Sequence, residues 1–219
     1  MDGSVRRLSG DVEPLADTRS RFGNFFVTGN HEYYSGAPAW IGKMQSLGFT
    51  VLNNSHRIIA HNNRKILLAG VTDYNAGRFY ESHRSDPRMA IRGAPDTNFK
   101  LLLAHQPKSI FASSKAGFDL QISGHTHGSQ FFPWNFMVHF FQPYVAGLHH
   151  HGNTQTYQPG YRLLGAAPAA GISIGDHPSA SRIRVNDLQQ DNQRLDRHRV
   201  SGDSRPQLRA APDSGFKMR

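Results

Sequence analysis

The chain has 219 residues, 37% hydrophobic and 11% aromatic, which is enough for one ordinary domain with its own core and an appendage. It contains no cysteine, so disulfides and thiolate metal sites are excluded and any metal falls to His, Asp, Glu or Asn. The formal charge is +9, but residues 158–219 hold 10 Lys and Arg against 6 Asp, and no dense basic helix or basic run interleaved with aromatics occurs in either part; no specific nucleic-acid partner is expected.

In chain order, the opening MDGSVRRLSGDVEPL lacks the apolar core of a signal peptide, and no run of about 18 apolar residues follows anywhere. As written the chain reads as neither spanning nor exported; the compartment is left undetermined, cytoplasmic or membrane-associated if a part precedes Met1. Asn24 to Thr28, Phe49 to Leu52, His56 to Ala60, Lys65 to Val71, Phe99 to His105 and Phe118 to Ser123 read as strands. Helices are predicted over Pro38 to Leu47, with Pro near its start and Gly48 just past its end, and over Lys108 to Ala116. Strands alternating with short helices predict an α/β fold over residues 1–157. Residues 158–219 have two aromatics, no sustained period and many Arg, Asp, Gln, Ser and Pro, so they are expected to form a disordered basic tail.

Three loops, each after a predicted strand, carry convergent chemistry. They are Gly29-Asn30-His31-Glu32, read as a turn, then Ala104-His105-Gln106-Pro107, and Gly124-His125-Thr126-His127-Gly128. Ligands of open α/β sheets gather at strand ends, so the loops can share one edge. Neutral imidazole and an amide oxygen suit borderline divalent ions, and the glycines that bracket the His-x-His turn, Gly124 and Gly128, allow close backbone approach.

On these motifs the chain resembles the calcineurin-like metallophosphoesterase superfamily, in particular the bacterial, membrane-associated branch in which GNHE precedes GHTHG. The resemblance implies a β-sandwich flanked by helices (α/β/β/α), here partial, and hydrolysis of a phosphomonoester or phosphodiester by a metal-activated hydroxide. It implies that Asn30, His105 and His125 ligate one divalent ion (Mn, Fe or Zn) and His127 a second, and that His31 sits over the scissile phosphate as the catalytic residue. An imidazole, with an ordinary pKa of about 6.5, suits the delivery of a proton to a leaving alkoxide. Asp2, Glu32 and Asp73 take supporting positions, Asp73 beside the phosphate or a ligand histidine. The substrate class it implies is a phosphoester small molecule or a lipid-like phosphoester. The apolar stretch from Phe131 to Leu148 is either a core-covering loop or an aromatic lip that touches a membrane surface.

Two motifs that precede GNHE in the family, Asp-x-His and Gly-Asp-x-x-Asp-Gly, are not found ahead of Gly29 here, and Asp2-Gly3 aligns with the end of the second. An N-terminal truncation, a lost bridging carboxylate, one ion or none in place of two, and impaired activity are therefore expected. One codon choice for the residues after Tyr157, read one base forward, spells Ser-Arg-Gly-Thr-Gly-Tyr-Trp, similar to the family's closing strand, so a frameshift near Tyr157 is expected. The rival readings are a non-catalytic fragment that binds one metal and a basic nucleic-acid-binding protein. His56, His61, His83 and His139 read as surface or packing residues, His149 to His151 as a loop or solvated turn, and Tyr33 and Tyr34 as site wall.

Overall fold

The structure is a computed structural model that describes residues 2–127 and 134–159, the side chains of 134–136 and 139 excepted. All of these lie in the first of two compact units, Met1–Ala170. The expected frame change and nearly all of the expected tail fall outside the described residues.

The strands are β1 (Asn24–Phe26), β2 (Phe49–Val51), β3 (Ser55–His61), β4 (Arg64–Gly70), β5 (Phe99–Leu103), β6 (Leu120–Ile122), β7 (Gly147–His151) and β8 (Thr154–Gln158). β1 and β2 pair in parallel, and the other six form a mixed sheet in the order β3-β4-β5-β6-β8-β7. Its four central strands run parallel, and an antiparallel hairpin closes each edge. At the first edge His61 pairs with Arg64 across Asn62 and Asn63, whose positive φ of 46° and 58° suit a two-residue hairpin turn that asparagine tolerates.

The α-helices are α1 (Val5–Val12), α2 (Asn30–Ser35), α3 (Ala37–Ser46), α4 (Pro87–Ala90), α5 (Ile110–Lys115) and α6 (Trp134–Phe141). The fold is thus a mixed sheet flanked by helices. α4 packs on β3 and β4, and α5 on β7 and β8. All six predicted strands are present, most of them shorter at the C-terminal end, because the chain leaves the ladder there to form the polar loops. Both predicted helices are present as well, the second entered through a 3-10 turn over Pro107–Ser109.

Leu67, Ala69 and Val71 of the β4 segment alternate onto one face and pack with Leu102, Ala104, Ala90 of α4 and Phe118 into a buried cluster. Ile66 and Leu68 point the other way and are buried too, so β4 is covered on both faces, which is why it reads as a continuous apolar run. Gly70 marks the meeting of the two sheets. A Cβ there would lie 2.4 Å from Leu52 Cβ and 2.6 Å from Val27 Cγ1. At the chain start Trp40 of α3 is fully buried, and its indole N–H donates to the carbonyl of Gly3 at 2.9 Å.

Three sequence expectations need correction. GNHE is the start of a helix, with Gly29 as its N-cap and the Glu32 carboxylate accepting from the Gly29 N–H at 2.7 Å. Within Phe131 to Leu148, the described part is α6 followed by the start of β7, since an apolar run with only one covered side forms an amphipathic helix more cheaply than an irregular loop. His149 to His151 lie in β7, where ladder pairing with β8 satisfies their backbone, and Tyr144 stacks on His149 at 4.6 Å between ring centres.

Candidate metal centre

The candidate residues converge from four strand ends. Asn30 and His31 follow β1, Asp73 follows β4, His105 follows β5, and His125 and His127 follow β6. Parallel strands that end at one level deliver their following loops to one edge.

His105 lies at the middle of the cluster. Its Nε2 is 2.9 Å from Oδ1 of Asn30 and 3.2 Å from Nδ1 of His125. Two ligands about 2.1 Å from a common ion, at tetrahedral or octahedral angles, are separated by roughly 3.0–3.4 Å. The Asn30–His105 and His105–His125 atom pairs thus lie close to the spacing of ligands that share one divalent ion. Burial, followed by the neighbouring imidazoles of His125, His31 and His127, pushes His105 down to about 3, and burial followed by His127 and His31 lowers His125 as well. Both imidazoles are thus neutral near pH 7 and have a lone pair to give. The donor set fits a borderline divalent ion. Among the described residues no three His, Asp or Glu side chains group closely enough to hold an ion by themselves.

The backbone is specialised to make this convergence. The His105 ring lies flat against Gly29, where a Cβ would stand 2.9 Å from three of its atoms. The close approach expected of Gly124 is not found, since a Cβ there would meet open space; what Gly124 supplies is backbone, its N–H donating to the His105 carbonyl at 3.0 Å. Gly128 lies outside the described residues. His125 and His127 both take positive φ, 71° and 50°, a region that non-glycine residues enter at a cost and that clusters at functional sites. The Thr126 hydroxyl between them is buried and donates to the Val145 carbonyl at 2.6 Å, which anchors the strained turn.

Asn30, His31, His105, His125 and His127 all line one cavity of about 160 Å³, roofed by Val138 and Phe141 of α6. Nδ1 of His31 is engaged by the Asp2 carboxylate, and its ring makes an edge contact with Tyr34. Glu32 is buried and bonded to the Gly29 N–H, so it braces the loop from behind.

Asp73 is 1% exposed and touches none of the histidines by a hydrogen bond. Both its oxygens accept from the Gln106 side-chain amide, at 3.2 and 3.0 Å, and Oδ1 accepts from the Asn75 N–H. Burial raises its pKa. Gln106 in turn accepts from Gln142 of the segment after α6, a wall residue of the metal cavity, at 3.4 Å. Sequence reasoning missed this Asp73–Gln106–Gln142 chain. Its one local signal was an amide next to His105, and amides alone do not announce burial. Tyr33 is also more than wall: it is buried, its hydroxyl 3.0 Å from Nδ1 of His83 and 3.4 Å from Oγ1 of Thr28, and burial raises its pKa. His83 is a packing residue, as expected.

No family model matches the chain. Among curated proteins, the transmembrane protein with metallophosphoesterase domain of Bos taurus is 39% identical over 158 residues, 68% of this chain and 35% of its own length. An uncharacterized metallophosphoesterase of Helicobacter pylori is 35% identical over 159 residues, 72% of this chain and 42% of its own. The chain thus spans roughly two fifths or less of the length of these two relatives. The solved structure of the sulfate thiohydrolase SoxB of Thermus thermophilus in complex with glycerol superposes with a TM-score of 0.50 at 13% identity, covering 73% of this chain and 32% of that one, and shows a shared fold. At 35–39% identity over 68–72% of its length to proteins named for metallophosphoesterases, and with that shared fold, the chain belongs to the calcineurin-like metallophosphoesterase family.

Proposed function

We propose that this chain carries the histidine side of a metal-dependent phosphoesterase centre, with Asn30, His105 and His125 as ligands of one divalent ion, His127 as a donor from the same turn, and His31 as the residue that protonates the leaving oxygen. The observation that carries this is the convergence of Asn30 Oδ1, His105 Nε2 and His125 Nδ1 at 2.9 and 3.2 Å in the cavity that also holds His31. A bound divalent ion supplies Lewis acidity toward a phosphoryl oxygen and lowers the pKa of water. The protein's own part is orientation and proton delivery. With Nδ1 of His31 held by Asp2, the free ring nitrogen, Nε2, is the one able to give a proton to an alkoxide.

The substrate side of the reading is an amphiphilic phosphoester. Phe141 roofs the metal cavity, while Phe140, 81% exposed, and Met137 show an apolar surface beside it on the same helix. No described helix is long and apolar enough to cross a membrane. The exposed Met137 and Phe140 are the surface assigned in this reading to contact with a lipid-like group.

The test is uptake of Mn or Zn by the purified full-length chain, together with turnover of a chromogenic phosphodiester. Metal-dependent turnover that disappears in His125→Ala supports the enzyme. Uptake of one ion without turnover supports a non-catalytic metal-binding fragment, and retention of both metal and turnover by His125→Ala overturns the assignment.

A further inference from the structure

We propose that a second cavity, separate from the imidazole cluster, binds a soluble phosphorylated small molecule. The cavity measures about 380 Å³, within the range of small-molecule sites, and its walls include Arg78, Arg84, Tyr74, Asn75, Ser85 and Ser109. Two arginines, an asparagine, two serines and a tyrosine line a space that has no carboxylate among its described wall residues. That is a donor-rich, cationic wall, and planar guanidinium groups match phosphate oxygens in pairs.

The nearby carboxylates are otherwise engaged. Asp73 accepts from Gln106 and Asn75, and Asp86 caps α4 by accepting from the N–H groups of Arg88 and Met89. Glu81 pairs with Arg84 at 2.8 Å, but both side chains are more than two-thirds exposed, so water screens the pair and most of the five guanidinium donors stay open. Among the described residues no carboxylate pairs with Arg78.

The backbone brings the two arginines to one mouth. Arg78 closes the 3-10 turn Ala76–Arg78 and Arg84 follows the turn Glu81–His83. A Cβ on Gly77 would stand 3.3 Å from Arg84 Cβ and 3.4 Å from its Cα, so the bare glycine is what lets the turns close on each other. Asp73 and Gln106 lie between Asn75 of this cavity's wall and Gln142 of the metal cavity's wall. The site stands independently of the phosphoesterase reading.

The test is titration of the full chain, in EDTA, with inorganic phosphate and with glycerol phosphate, glycerol serving as the neutral control, followed by calorimetry and by amide chemical shifts. Saturable binding of both anions but not of glycerol is expected. Arg78→Gln with Arg84→Gln should weaken it by at least about tenfold, and His125→Ala should leave it unchanged. Ser85→Asp, which retains both arginines and adds a repelling charge to the wall, should weaken it similarly and guards against misfolding of the double variant. The proposal is overturned by the absence of saturable binding, by binding indifferent to the arginines, by loss in His125→Ala, or by binding only to phosphatidate vesicles.

Discussion

Gly29→Ala tests the construction of the metal centre most directly. The new methyl would stand 2.9 Å from Cε1, Cγ and Nδ1 of His105, three atoms of one ring face, where unstrained carbon contacts need about 3.5 Å or more. The ring must therefore retreat by roughly 0.6 Å along its own normal. That displacement is about three times the tolerance of roughly 0.2 Å on metal–ligand distances. It also moves Nε2 away from the positions that set it 2.9 Å from Asn30 and 3.2 Å from His125. Backbone strain does not contribute, since Gly29 is extended at φ −106° and ψ −179°, and its N–H still reaches Glu32. Overpacking of this kind costs about 1–3 kcal/mol, offset by about 0.4–1 kcal/mol from the stiffer unfolded chain, which leaves a net loss of about 1–2 kcal/mol. Metal affinity should fall by about 10–100-fold. Competition with a chelating dye measures the affinity, and urea unfolding in EDTA measures the stability without metal. Unchanged affinity in Gly29→Ala would show that His105 does not owe its position to the glycine, and the argument for a centre preformed by the backbone would fail.

Three further outcomes follow from other parts of the fold. Gly70→Ala places a methyl 2.4 Å from Leu52 Cβ, 2.6 Å from Val27 Cγ1 and 3.0 Å from the Leu52 carbonyl, so neither a rotamer change nor a small shift relieves it. A loss of about 3 kcal/mol is expected, read as a fall in the urea midpoint, and an unaltered midpoint would contradict the close meeting of the two sheets. His105 is held near 3 against an ordinary value of 6.5, so the unfolded chain takes up a proton at this residue before the folded one does. Stability is intact above about pH 6.5 and is lost as pH falls toward 3, by about 2 kcal/mol at pH 5; the metal-free chain should show this, and His105→Gln should show less of it. Asp2→Ala frees Nδ1 of His31, so the His31 ring resonances should move while uptake of the metal stays constant; a drop in uptake would place Asp2 among the ligands instead.

The candidate donors could be picked out in the sequence because metal chemistry restricts residue type and local spacing: Asn30 next to His31, His105 at the end of an apolar run, and His125 two residues from His127. The strands were legible for a similar reason, since β4 and β5 are apolar runs bounded by polar loops. Their convergence was not legible. Asn30 and His105 lie 75 positions apart and His105 and His125 lie 20 apart, and only the parallel register of β5 with β6, together with the placement of β1, brings them to one edge. The helix that begins at Asn30 had a readable sign in Glu32, three residues after Gly29, but the decision rests on the Glu32 carboxylate reaching back to the Gly29 N–H. Gly29 and Gly124 look alike as letters, yet one is pressed against an imidazole and the other faces open space, because steric demand belongs to the neighbours and not to the residue. The same holds for Asp73, set apart from the histidines by Gln106, and for Arg78 and Arg84, which share a mouth only because Gly77 lets two turns close. Residue chemistry is written along the chain, whereas burial, approach and shared cavities are set by packing between segments distant in sequence.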